Sequence, residues 1–473
     1  GGYSGQSDLA LCTMSEHPWE PGGRAVSGTQ SCMPVLPKAV IFLTIACTMA
    51  YFLDREERRG GFDTVDSQYR SWLMANSEAE ILEPSVTFLA LDDPGERVFD
   101  TWPPGPVDYS IMVDNLSKND PRVIAVAPVL GWREGVDDIL ISSMRSVLLR
   151  LDREQVLLGA ELLQNPAGEM IRPSTLSLFP QLENVTGDRS QIPEFTQVGA
   201  LPEPALTAIS PNLGFTRIDL GDTEAKRERD SFTVPLLGRH GQRVVPSFIL
   251  MAMIKEAGVG LDGVQVSLDG RSIKIGEGER GLDIPIDSGG RLRVHTGIRT
   301  AISKYNADIL FLVGADDIRD QLTDEQKSAL LSRIVILGID DEIARTIDLP
   351  KDDEKISQAE LFAMAIATIQ AKRFIQRVPT LVEYGAWAAL LGIGLLMLRL
   401  RRKRRVVMWW GVLLILYFVG NLILFQYTGQ WIPLVVPLGI IASILLVALV
   451  LPAPRPKRDD DPAPLESGTT TTS

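Results

Sequence analysis

The sequence predicts an α/β extracytoplasmic domain, with a mixed, largely parallel sheet and antiparallel additions, joined to α-helical membrane spans. Three observations carry this reading. Long apolar runs crowd the C-terminal quarter, a dense basic block separates two of them, and upstream of them β-rich runs alternate with helically spaced ones. Composition alone is silent here: 473 residues with 45% hydrophobic, 23% charged and a formal net charge of −13 would also describe an acidic globular protein.

The spans come first. Runs 381–398, 406–425 and 432–451 are 18 to 20 residues long, with Glu383 and Asn421 as their main polar exceptions. Each is long enough as a helix to cross about 30 Å of hydrocarbon. A fourth run, "PVLPKAVIFLTIACTMAYFL", reaches spanning length over 35–53.

The basic block sets the orientation. "LRLRRKRRVVMWW" (398–410) holds six basic side chains, Arg399, Arg401, Arg402, Lys403, Arg404 and Arg405, between two apolar runs. Short cytoplasmic loops retain Lys and Arg, so this hairpin is placed in the cytoplasm and residues 54–380 outside it. The uncharged loop "QYTGQ" and the basic "RPKR" after the last span alternate as this requires. Tyr384, Trp387, Tyr427 and Trp431 then fall at the outer boundary, and Trp409 and Trp410 at the inner one. Apolar runs on both sides distinguish the block from a nucleic-acid patch. Gly385, Ala388, Ala389 and Gly392 give the second span small-residue spacing of the kind used in close helix contacts.

The N-terminal run is flanked less clearly, because Arg55, Arg58 and Arg59 follow it on the outer side. A cleaved signal peptide is the rival reading, but no convincing small-x-small cleavage site is present, and "TIAC" is a poor lipoprotein signal. Residues 1–32 read as a disordered leader or misassigned start, and 452–473 as a disordered cytoplasmic tail. Cys12, Cys32 and Cys47 all precede the outer domain, which therefore has neither disulfide nor cysteine nucleophile.

Within that domain, "SVTFLALDD" (85–93), "RVIAVAPVL" (122–130) and "QVLLGAELL" (155–163) read as buried strands separated by helical patterns, a βαβαβ opening. The stretch 164–212 reads as an irregular insertion. "LGFTRIDL", "SFTVPLLGR", "VQVSL", "SIKIG" and "RLRVH" read as an antiparallel addition. "DILFLVGADD" and "SRIVILGIDD" are further strands, and "QAELFAMAIATIQAKRF" is a helix leading into the second span. Leu89, Leu91, Ile334 and Ile336 are core candidates, because parallel sheets need continuous apolar strands.

The order of "GFDTVDSQYRSW", "VTFLALDD", "WPPGPVDYSIMVDNL", "IPIDSGGRLRVHTG", "RIVILG" and "WIPLVVPLG" resembles the CHASE-two extracytoplasmic sensory domain family with its trailing three-span bundle, over roughly residues 50–451. The resemblance implies a domain outside the bacterial cytoplasmic (inner) membrane, both termini in the cytoplasm, and coupling to a cytoplasmic cyclase or kinase. The chain departs from that family at Gly105 and Pro106, Pro128, "RERDSF" and Phe362, where the family carries a Pro-Trp-Pro-Arg run, an aspartate, an Asp-Gly and a histidine-bearing helix motif. After the last span only a polar tail is expected, so the effector is expected to be a separate protein.

No HExxH, Walker-type loop or G-x-S-x-G occurs, and His240 and His295 are isolated, so no catalysis, cofactor or metal is expected. The one recurring constellation is acidic. Asp92 and Asp93, Asp316 and Asp317, and Asp340 and Asp341 each follow an apolar strand, and open α/β sheets bind ligands beyond the carboxyl ends of their strands. Converging beside Trp102, Asp92, Asp93, Asp340 and Asp341 would attract a cation or amine-bearing ligand. The same pairs could equally cap helices or mark solvated strand ends. Two functions follow: a sensor or receptor subunit signalling through a separate cytoplasmic partner, or a scaffolding envelope protein using the domain for protein contacts. Expected partners are the lipid bilayer, a signalling effector or envelope protein, and a second copy of the chain, with no nucleic acid.

Overall fold

The computed structural model describes residues 36–59, 61–77, 83–92, 99, 101–132, 137–152, 155–164, 173–219, 232–278, 281–311, 322–341, 346–348, 355–398 and 403–450. Residues 1–32, Asp93, Asp316, Asp317, Arg399, Arg401, Arg402 and the tail 452–473 lie outside them.

The central sheet runs in the order Ser303–Asn306, Val86–Leu91, Ile334–Ile339, Val123–Val126, Val156–Leu163, Leu213–Asp219, every neighbouring pair parallel. A short strand, Gln197–Val198, pairs antiparallel with the end of Val156–Leu163. Both faces are covered, which is why these strands are continuously apolar. Leu89, Leu91, Val335 and Leu337 pack with helices Pro106–Ser117 and Asp138–Arg150. Phe88, Ala90, Ile334 and Ile336 pack on the opposite face with helices Phe248–Ala257 and Gln358–Gln370. The last helix sits so close that a Cβ on Gly338 would collide with the Ala359 side chain.

Two strand expectations need correction. "LGFTRIDL" is parallel and belongs to the central sheet, not to an antiparallel addition. The stretch 164–212 supplies the long crossover that parallel neighbours require, and it also contributes Asn184–Thr186 to a second sheet. "DILFLVGADD" begins not as a strand but as a 3-10 turn, Ala307–Leu310, because the Asn306 side chain accepts from Asp308 N at 3.2 Å and turns the chain, and its remainder, 312–317, lies outside the described residues. The edge strand lies just before it. The antiparallel additions are otherwise present: Val264–Ser267, Ser272–Ile275 and Leu282–Pro285 form a meander, and Thr233–Pro235 pairs with Arg291–Arg293.

Among the described residues, four apolar helices complete the fold: Leu36–Arg58, Thr380–Met397, Lys403–Thr428 and Val435–Val450. The fourth is central and packs on the other three through Val436, Ile440, Ile441, Ile444 and Val447. Two of the four, the second and third, are long and apolar enough to cross a membrane by length and composition. Their outward faces are apolar, with Leu381, Leu396, Ile415 and Leu416 well exposed. Gly385, Ala388, Ala389 and Gly392 also face outward, so the bundle does not close on that stripe. It closes on Gly394, where Phe42 and Ile444 leave no room for a side chain.

The third helix, 26 residues, would be about 39 Å long at 1.5 Å per residue. That exceeds a hydrocarbon layer of about 30 Å, and the surplus enters the domain. Phe425, which the sequence assigns to lipid, is buried in the same core as Phe88 and Ile336. Trp387 and Trp431 are likewise buried rather than positioned as boundary anchors, whereas Tyr384, Tyr427 and Trp409 are exposed.

Candidate functional site

Strands Val86–Leu91 and Ile334–Ile339 are adjacent with Leu91 opposite Ile339, so the residues that follow them emerge side by side. Asp340 N donates to Leu91 O at 2.8 Å, which seats the Asp340–Asp341 pair on the edge next to exposed Asp92. Trp102 does converge there: its Nε1 donates to Asp341 Oδ2 at 2.6 Å, and its ring leans on Phe99, which packs edge-on to Phe311.

The charge at this edge differs from the expectation. Asp340 Oδ2 pairs with Lys304 Nζ at 2.7 Å, Lys304 reaches Glu360 Oε2 at 2.9 Å, and Glu360 Oε1 pairs with Arg299 at 2.5 Å. Burial would lower Lys304, but hydrogen bonds to Asp340 and Glu360 outweigh it and hold the ammonium above its ordinary value. Asp340 and Glu360 thus face two cations, and a cation arriving at Asp340 would compete with Lys304. Among the described residues no group of three or more His, Cys, Asp or Glu is arranged to hold a metal ion. His240 Nδ1 lies 3.0 Å from Phe195 O, while His295 is buried far along the chain's fold against Phe425, their rings stacked at 5.8 Å.

The denser polar constellation lies where the domain meets the helices. Helix Gln358–Gln370 leads into Gln376–Arg377, which pairs in parallel with Gln430–Trp431 in the turn between the third and fourth apolar helices. Gln376 N donates to Gly429 O and Val378 N to Trp431 O, each at 3.1 Å. Gly429, at φ +69°, faces the Phe374 carbonyl so closely that no side chain fits. Arg373 Nη1 donates to the carbonyls of Gln426 and Tyr427, capping the third helix.

Asn421, the polar exception in that helix, is held by three hydrogen bonds. Its Nδ2 donates to Tyr69 OH at 2.7 Å and to Ile432 O at 2.9 Å, and its Oδ1 accepts from Ile432 N at 3.1 Å. Tyr69 belongs to helix Asp63–Asn76, and the next residue, Arg70, lies over the Trp431 ring at 4.9 Å. Burial raises the Tyr69 hydroxyl to about 12, though the bond from Asn421 pulls the other way.

Arg377 clasps the remaining helices. Its Nη2 and Nε bind the two Glu383 oxygens at 2.6 and 3.1 Å, a forked pair on the second apolar helix. Its Nη1 stands 2.8 Å from Glu57 Oε1 at the end of the first, without the alignment of a hydrogen bond. Both glutamates are buried, with side chains 2% and 1% exposed, while Arg377 is 35% exposed. Burial raises the Glu57 carboxyl to about 7; Arg377 opposes this, and Asp66, Glu383 and Asp54 add to it.

The sequence singled out Glu383 and Asn421 only as blemishes in spans, and it gave no sign of Arg377, Glu57 or Tyr69. A buried charge inside an apolar run is itself a functional signal, since such groups persist where they find partners. No family model, curated protein or solved structure matches this chain.

Proposed function

We propose that the chain is a membrane-anchored extracytoplasmic sensor or receptor subunit, in which the outer domain biases the arrangement of its membrane helices and a signalling partner on the cytoplasmic side reads that arrangement. One observation carries the reading: the third helix runs without a break from the basic Arg404 and Arg405 to Phe425 in the domain core. A change in that core therefore acts directly on a helix that reaches the opposite membrane face. The resemblance to CHASE-two domains and the basic hairpin support the orientation, with the domain outside and the bilayer around the exposed apolar faces.

A scaffolding role is the second reading, and the edge strand Ser303–Asn306 favours it. Beside it lies a groove of about 560 Å³ lined by Glu83, Thr300, Lys304, Tyr305 and Glu325, suited to an extended segment of a protein partner.

A sensor must bind its ligand unequally in two states. The test is a thermal-shift screen of the full-length protein in nanodiscs against divalent cations, polyamines and cell-envelope fragments, with Asp341→Asn and Trp102→Phe as controls. A stabilising compound whose effect is lost in the controls supports a receptor with its site at the acidic edge. Stabilisation by none of them favours the scaffold.

A further inference from the structure

We propose that the junction between domain and helices is a proton-binding site, with Glu57 as the group that takes the proton and Arg377 as the partner whose allegiance the proton changes. This rests on the sensor reading and names the ligand of its junction.

The geometry is asymmetric. One guanidinium serves two buried carboxylates, and it gives Glu383 two aligned hydrogen bonds but Glu57 only an ion-pair contact. In a low-dielectric site one arginine neutralises one carboxylate, and the second is left with an excess negative charge. Every packed element adds to the imbalance or is already committed. On the same helix, Asp54 is bound to Arg58, and Arg58 also donates to Tyr384 OH at 3.0 Å. Helix Asp63–Asn76 presents Asp66, which repels an ionised Glu57 and is itself attracted to Arg293, and the third apolar helix presents Tyr417, whose hydroxyl donates to Pro433 O at 2.8 Å.

Of the two carboxylates that Arg377 serves, Glu57 is therefore the weaker-held. A proton relieves it without breaking the Arg377–Glu383 fork. The raised Glu57 titration, about 7, agrees with this placement. Access is available because Arg377 is a third exposed while both glutamates are covered, so the medium outside the membrane reaches the cluster past the guanidinium.

The consequence is a two-state clasp. With Glu57 protonated, Arg377 belongs to Glu383 alone, and the first helix is held by neutral contacts. With Glu57 ionised, the guanidinium is shared, and Asp66 and Glu383 repel the end of the first helix. Acidification of the outer medium thus favours the closed junction.

The test is an infrared pH titration of the full-length protein in nanodiscs, following the carbonyl band of protonated carboxylic acids. In a Glu256→Gln parent, which lacks the other buried carboxyl raised to about 7, the protein should lose one such band with a midpoint near pH 7. Glu57→Gln should lack that transition, and Asp66→Asn should retain it at lower pH, because one repelling carboxylate is gone. The second variant keeps the test decisive should Glu57→Gln fold poorly. No neutral-range transition in the Glu256→Gln parent, or one unchanged when Glu57→Gln is added and unmoved when Asp66→Asn is added, overturns the proposal. Such a result reads protonation alone and leaves the coupling of domain to helices standing.

Discussion

Asn421 Nδ2 and Tyr69 OH meet at 2.7 Å across the seam between an apolar helix and the α/β domain. The same amide satisfies both backbone groups of Ile432. Asn421→Leu would leave these groups unpaired in a buried place, at about 1–3 kcal/mol. We expect a lower unfolding midpoint for the full-length protein in detergent, and a smaller loss for Tyr69→Phe, which removes only one of the three bonds. Equal stability of wild type and Asn421→Leu would mean that the seam is not formed as described.

Ile336 is fully buried in the strand between Val86–Leu91 and Val123–Val126. Ile336→Asp would put an unpaired carboxylate between two apolar layers. The cost, roughly 4 kcal/mol or more, should abolish cooperative unfolding of the domain. Wild-type circular dichroism and thermal unfolding in that variant would refute the sheet order.

Stability should respond to pH in two opposed ways. Burial raises Glu256 to about 7, though Gln370 and Arg122 pull it down, so the folded state binds a proton that the unfolded chain has released above 4.5. That contribution is complete below 4.5 and disappears as pH rises through about 7. Burial, reinforced by Arg373, lowers His295 to about 4 from 6.5, so its contribution is complete above 6.5 and disappears as pH falls through about 4. Glu256→Gln should flatten the alkaline loss and His295→Gln the acid loss, read from denaturant midpoints across the pH range. A variant with the wild-type pH profile would remove its residue from this scheme.

The sidedness reading has its own check. In a chain cleared of native cysteines, Asp283→Cys should react with an impermeant thiol reagent in intact spheroplasts, and Arg405→Cys should react only after lysis. Both positions are exposed, so access is governed by the membrane and not by the fold. The reverse pattern would invert the topology.

Much of the domain was legible because its strands are apolar on both faces. Val86–Leu91 and Ile334–Ile339 declare themselves for that reason, as do helices whose apolar residues recur on one side. Helix Phe248–Ala257 was hidden by the same physics: buried on nearly every side, "FILMAM" has no polar face to reveal a period. At the acidic edge, Trp102 and Asp341 were foreseeable from strand ends, but Lys304 and Arg299 were not. They arrive from 36 and 41 residues upstream of Asp340, and nothing local in "RTAISK" records which carboxylate they meet. The junction was least legible, because a span is recognised by its lack of charge, and Glu57 and Arg377 lie just beyond the runs so recognised.

The central claim is that the domain biases the arrangement of the helices, and Arg377 clasps the first two of them at the junction. Spin labels at Val40 and Val407, exposed positions toward the proposed cytoplasmic ends of the first and third helices, report this as a distance distribution in nanodiscs. Arg377→Gln removes the charge that joins Glu57 to Glu383. The expected result is a shifted or broadened distribution in a variant whose α/β domain still unfolds cooperatively. Superimposable distributions for wild type and variant, with the domain folded in both, would contradict the coupling.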